Sequence, residues 1–246
     1  MPDAATVSRP QSVRAPDDTR WAREPYPDYV AEINRSIAFS GAEQSFFTVG
    51  KARLLLDLLR RQGRDPARTQ LLDIGCGVGL IHSHLAASLG EMVGIDVAPD
   101  ALEVAKAANP IVQYRSYNGL ELPFADGTFD AASAICVMHH VAPPQWAFFV
   151  AEALRVLRPG GLFMVFEHNP WNPLTRLAVS RCAFDFDAAL LSPPRLTKLL
   201  RETGFERVGR EFLFFSPFSA APIQSLENRL RWCPAGAQYV GYGRKI

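Results

Sequence analysis

The chain has 246 residues, 48% of them apolar, which is enough to bury one sizeable core and suits a single domain. Its 26 basic and 25 acidic residues leave a formal charge of +1, removing the electrostatic drive that nucleic-acid and anionic-membrane partners exploit. Four cysteines (Cys76, Cys136, Cys182 and Cys233) stand far apart with no CxxC pair, which argues against a disulfide scaffold or zinc ribbon and for free thiols in a reducing cytosol.

Residues 1–20 hold several charges and no apolar stretch of the secretory type, so a disordered tail is expected up to about Trp21. No run approaches membrane-spanning length, and a cytoplasmic protein is expected. Residues 21–69 read as a helical cap that contributes to a substrate site. Tyr26, Tyr29, Phe39, Phe46 and Phe47 enrich its first half; Val49, Leu54, Leu55, Leu58 and Leu59 mark one buried face, and Gly63 is the stop.

From residue 70 short apolar runs alternate with helical patterns. "QLLDIG", "EMVGIDV", "IVQYRS", "FDAASAICVM" and "GLFMVFEH" read as strands, and "LIHSHLAASLG", "PDALEVAKAAN" and "WAFFVAEALRVL" as the helices between them. Strands alternating with helices mean crossover connections, hence a parallel sheet covered on both faces. The end differs: "PPRLTKLLRETG" is helical, "FERVGREFLFFSP" strand-like, and "AQYVGYGRKI" is a last strand after a short helical "SLENRLRWC". With so little chain between them, the last two strands are expected to pair antiparallel.

Gly75, Gly77 and Gly79 sit where the first strand turns into a helix, a place where the backbone can approach a nucleotide-type ligand. The spacing is GxGxG and not the GxGxxG of dinucleotide sites. Asp73, two residues before the loop, would repel a pyrophosphate and suit a cationic group. Asp96 ends the second strand 19 residues past Gly77, where a carboxylate can accept from both ribose hydroxyls. An adenosine with a cationic, phosphate-free head fits this pair of acids, and S-adenosylmethionine has that chemistry.

Four stretches, "LLDIGCGVG", "VGIDVAPDAL", "LPFADGTFDAASAICVMHHV" and "EALRVLRPGGLFMVFEH", occur in the order of the motifs of class I S-adenosylmethionine-dependent methyltransferases, and the chain resembles that family over most of its length. The resemblance implies an α/β, doubly wound, mostly parallel seven-stranded sheet with an antiparallel edge strand and helices on both faces, here over residues 70–246. It also implies roles. Asp73 with Gly75, Cys76, Gly77 and Gly79 would hold the methionine moiety, Asp96 the ribose, and Val97 would pack on the adenine. Asn118 and Gly119 would stand beside the adenine amino group, and Cys136 where backbone groups meet the methionine part. Substrate recognition would lie in the N-terminal region and in a lid insertion at residues 169–193.

His139, His140 and His168 lie just beyond the fourth and fifth strands, where ligands of open α/β sheets bind, and are candidates for a catalytic base. Asn169, Trp171 and Asn172 behind them are candidate acceptor-binding residues. His82 and His84 read as core or surface residues, and Asp185 and Asp187, alternating with Phe184 and Phe186, as a solvated turn. Arg176 and Arg181 read as solvated. The reading is a methyltransferase acting on a small, partly apolar molecule, with no metal and no nucleic-acid partner expected. The alternatives are a cofactor-binding regulator without turnover and a nicotinamide-dependent oxidoreductase.

Overall fold

The computed structural model describes residues 29–185, 187–218 and 221–246. The expected tail, Trp21 and Tyr26 lie outside the described residues. Helices α1 (Tyr29–Ile37) and α2 (Gln44–Arg61) replace the single long helix expected, because Gly41, at φ 72°, caps a 3-10 turn between them. Strands β1 (Gln70–Ile74), β2 (Glu91–Asp96), β3 (Gln113–Ser116), β4 (Phe129–Ile135) and β5 (Leu157–His168) alternate with α3 (His82–Leu85), α4 (Pro99–Ala108) and α5 (Trp146–Val156). Then follow α6 (Pro173–Arg181), α7 (Pro193–Thr203), β6 (Glu206–Leu213), α8 (Ala221–Leu230) and β7 (Gln238–Arg244).

The seven strands form one sheet in the order β3-β2-β1-β4-β5-β7-β6, with β1 to β5 parallel to one another. The antiparallel pairing expected at the end of the chain is present: β7 inserts between β5 and β6 and runs opposite to both, leaving β6 on the margin. Four of the five β1 residues are buried, the near-continuous apolar run of a strand covered on both faces. One face carries Leu54, Leu55, Leu58 and Leu59 of α2 with Leu85 of α3 against Leu71, Met164 and Phe166. The other carries Trp146, Phe149 and Val150 of α5 and Leu196 and Leu200 of α7 against Ile74, Phe163, Val165 and Tyr239.

Residues 29–69 belong to the core: α2 is one of the layers that bury the sheet, and α1 contacts α6. The candidate site residues lie at the C-terminal ends of β1, β2, β4 and β5. No described helix is long and apolar enough to cross a membrane.

Candidate active site

At the end of β1 the chain turns through Gly75, Gly77 and Gly79, all at positive φ (74°, 51° and 69°), a conformation that L side chains rarely adopt. The loop is clamped to β2, because the N–H groups of Gly75 and Cys76 both donate to the Ile95 carbonyl, at 2.8 and 2.9 Å. Asp96 anchors the next turn, accepting from Gly77 N–H at 2.7 Å and from Ala98 N–H at 2.9 Å. A carboxylate has about four acceptor positions, so two remain for ribose hydroxyls. Burial raises the Asp96 carboxyl above its ordinary range, against the pull of these backbone N–H groups.

Space beside Gly77 is open to 4 Å, and Val97 is an apolar side chain left 52% exposed next to Gly119. These residues fit an adenosine: an acid for the ribose, a bare backbone turn and an apolar platform for the base. Asn118 is corrected by the structure. Its side-chain oxygen accepts from the N–H groups of Leu120 and Glu121, so it shapes the turn and has no lone pair left for an adenine amine.

Asp73 lies beneath the loop and not in it, at 2% exposure. Its Oδ1 accepts from Ser133 Oγ at 2.7 Å and its Oδ2 from His82 Nε2 at 3.0 Å, while the Tyr114 hydroxyl donates to His82 Nδ1 at 2.7 Å. The tautomer follows from these partners. Asp73 thus supports the loop through a buried chain of polar groups. His82, fully buried, is the residue that sequence reasoning left undecided. Gly94, inside β2, was the available signal: a Cβ there would meet His82 Cε1, Cys76 Sγ and a Tyr114 ring carbon, each at 2.9 Å.

A second buried polar cluster joins β4, β5 and the lid. β4 ends at Ile135, and Cys136 turns sharply at φ 58°, its N–H donating to the Phe166 carbonyl. Lys51, reaching in from α2, places Nζ 3.6 Å from Cys136 Sγ, and burial pushes that thiol up. Glu167, with no exposed surface, accepts from Met138 N–H at 2.8 Å and from His139 Nδ1 at 2.6 Å.

The Nε2 atoms of His139, His140 and His168 all face the Asp185 carboxylate, at 3.4, 3.6 and 3.8 Å. Asp185, expected in a solvated turn or helix start, is instead largely buried against three imidazoles. Asp187 is exposed as expected. Burial draws His139 toward its neutral form, yet the Glu167 and Asp185 carboxylates override it and hold it well above the usual histidine range. Burial and the charge of His139 push His140 and His168 down to about 4. Asp185, despite burial, is held to about 2 by the histidines around it.

The stretch behind β5 has a different use from the one expected. Asn169, fully buried, donates from its amide to the carbonyls of Pro234 and Gly236, and its oxygen accepts from Trp171 N–H. Asn172 caps α6, accepting from the N–H groups of Leu174 and Thr175, and donates to the Ala235 carbonyl. Both amides therefore root residues 169–181 on the loop before β7, and Asn169 has both of its donors committed there. Trp171 is 49% exposed and stacks at 6.4 Å on Phe212. Arg181, read as solvated, lies over the Phe39 ring at 5.6 Å and ties the lid to the N-terminal segment.

Residues 72–165 match the family of methyltransferase domains. The chain is 32% identical over 164 residues to an uncharacterized methyltransferase of Synechocystis sp., covering 65% of this chain and 76% of that relative. It is 31% identical over 177 residues to a ubiquinone biosynthesis O-methyltransferase of Rhizobium leguminosarum bv. trifolii, covering 64% and 69% of the two chains. Among solved structures, an S-adenosylmethionine-dependent methyltransferase of Thermotoga maritima, described as a possible histamine N-methyltransferase, superposes with a TM-score of 0.66 at 20% identity. The match covers 90% of this chain and 98% of that one. The GxGxG loop, the acid ending β2, the strand order and these likenesses agree, and the nicotinamide alternative falls away: the chain belongs to the class I S-adenosylmethionine-dependent methyltransferases, an enzyme family whose cofactor is S-adenosylmethionine.

Proposed function

We propose that the protein methylates a small, partly apolar acceptor at an oxygen or nitrogen that loses a proton, in a pocket at the C-terminal ends of β4 and β5 under residues 169–193. The observation that carries this reading is the convergence of three imidazoles and Asp185 beside Cys136, at the sheet edge where the family binds its cofactor. The bound cofactor supplies an electrophilic methyl group on a sulfonium, with a neutral thioether as leaving group.

The chain's own residues do the rest. Asp96 accepts from the ribose, Val97 and Gly119 enclose the adenine, and the Gly75–Gly79 turn lets the backbone approach the methionine part. His140 and His168, both neutral at physiological pH, take the acceptor's proton, while His139, bound to Glu167, orients the cluster from behind. Holding acceptor and methyl group in line, in a site shielded from water, supplies the larger part of the rate. Phe46 and Phe47 at the start of α2 and the exposed Trp171, Leu174 and Leu177 provide apolar surface near the lid. Relationship to a ubiquinone biosynthesis O-methyltransferase supports oxygen over nitrogen. The near-neutral charge favours a metabolite over a nucleic acid and, with the free thiols, a cytoplasmic setting.

Incubation with methyl-labelled S-adenosylmethionine and a metabolite extract tests this. Label should enter a low-mass product, and mass analysis should place the new methyl group on oxygen or nitrogen. Tight cofactor binding with no label transferred to any fraction would instead make the protein a regulator, and label recovered only in macromolecules would refute a small acceptor.

A further inference from the structure

The imidazoles around Asp185 stand at ion-pair distances that are long for hydrogen bonds and match the spacing of ligands on a shared cation. His139 Nε2 is 3.4 Å from Asp185 Oδ1 and His168 Nε2 is 3.8 Å from Asp185 Oδ2, beyond the usual 2.7–3.2 Å of an N–H···O bond. Donors about 2.1 Å from one shared cation, at a tetrahedral angle, stand about 3.4 Å apart. The donor atoms of His139, His168 and Asp185 all lie within 4.8 Å of one another.

The surroundings of His139 fit the same reading. Its Nδ1–H donates to Glu167 Oε2 at 2.6 Å, and Glu167 is itself fixed by Met138 N–H at 2.8 Å. That contact fixes the ring with Nε2 toward Asp185, so that in the metal-free protein a proton lies between them and a metal ion can take its place. A buried carboxylate behind an imidazole ligand is the usual outer support of a metal site.

Gln238 gives an independent observation. It lies directly opposite His168 in the β5–β7 register, hence on the same face of the sheet, and is 7% exposed. Its Oε1 has no hydrogen-bond partner among the described residues, so a buried acceptor beside His168 awaits a donor.

We propose that His139 Nε2, His168 Nε2 and the Asp185 carboxylate form a binding site for a divalent first-row transition cation. Two imidazoles and one carboxylate select zinc, cobalt or iron over calcium and magnesium, which prefer all-oxygen shells. Three protein donors leave a coordination position open, toward which Gln238 can accept from a bound water or hydroxyl. Held there, the cation binds the oxygen or nitrogen of the acceptor and lowers its pKa, and because His168 Nε2 is then a ligand the acceptor's proton passes to His140. That role rests on the function proposed above, whereas the existence of the site does not.

The test uses tag-free full-length protein stripped with a chelator and titrated with Co2+, followed by visible absorption and by calorimetry. The expected result is d–d absorption of a four- or five-coordinate site at about one ion per chain, displaced by Zn2+. His168→Ala and Asp185→Ala should each weaken binding by about 100-fold and Glu167→Gln by about 10-fold, with S-adenosylmethionine affinity and melting reported for each variant. A wild-type Co2+ spectrum that stays that of the aqueous ion overturns the inference, because a proton then bridges His139 and Asp185. Binding undiminished in both His168→Ala and Asp185→Ala overturns it too. A positive spectrum with no methyl transfer in the extract assay leaves the site standing and refutes the function alone.

Discussion

His82→Ala removes a side chain with no solvent exposure whose two ring nitrogens join Asp73 to Tyr114. The Asp73 carboxylate would remain buried with Ser133 Oγ as its side-chain donor, and the Tyr114 hydroxyl would lose its acceptor. Leaving a buried carboxylate and a hydroxyl each short of a hydrogen-bond partner costs about 1–3 kcal/mol, most of it the desolvation of the group left behind. At about 2–4 °C per kcal/mol for a chain of this size, the melting temperature should fall by about 2–12 °C. Tyr114→Phe removes one hydrogen bond and should cost about 1 kcal/mol. His84→Ala, two residues along the same helix but exposed, should stay within about 0.5 kcal/mol of wild type. Thermal unfolding followed by circular dichroism at neutral pH, cross-checked by denaturant, reads all three. Asp73→Asn placed in the His82→Ala background should recover about 1 kcal/mol or more, since an amide leaves no buried charge. A His82→Ala melting point within about 2 °C of wild type, or no coupling to Asp73→Asn, would refute the argument that this network holds the cofactor loop from beneath.

Asp96→Ala removes both the anchor of Gly77 N–H and the ribose acceptor, and calorimetry should show S-adenosylmethionine binding weakened by about 100-fold or more; unchanged affinity would sink the ribose assignment. Asn172→Ala removes the cap of α6 and should cost about 1 kcal/mol, with cofactor affinity unchanged and Asn172→Ser restoring most of the loss. A raised acceptor KM at unchanged stability would return Asn172 to the substrate site. Burial opposes ionisation of Asp57 and Asp130, yet Arg231 and Arg61 around Asp57, and Gln70 N–H with Arg158 and Arg64 around Asp130, hold both carboxyls below their ordinary values. A folded pKa below the unfolded one gives stability that is complete above about pH 4 and is lost as pH falls through the folded value. The double variant Asp57→Asn with Asp130→Asn should therefore melt below wild type at neutral pH, the gap closing in acid; a gap that persists at the lowest pH contradicts the linkage.

Much of this protein was legible in one dimension because its signals are local. The apolar runs of β1, β2, β4 and β5 are strands buried on both faces, and periodicity reports that directly. The GxGxG turn and Asp96 are 19 residues apart along the chain and meet because β1 and β2 are neighbours, so the crossover rule alone brings them together. The helix expected over residues 26–63 breaks at Gly41, where a positive φ ends one segment and starts another.

Sequence by itself determined the fold family and the cofactor, since each rests on spacing within one or two adjacent elements. Only the tertiary structure could divide the polar residues by role, because hydrogen-bond partners are set by packing between distant segments. His82 and His84 differ by two positions and by everything else: one bridges Asp73 and Tyr114, the other faces water. Asn169 and Asn172 looked like acceptor ligands until the loop before β7 took their amides, 63 to 67 residues away. Asp185 looked like a surface acid until packing set it against histidines from the turn after β4 and the end of β5. A carboxylate acquires its function from the charges it is buried among, and here those arrive from three parts of the chain.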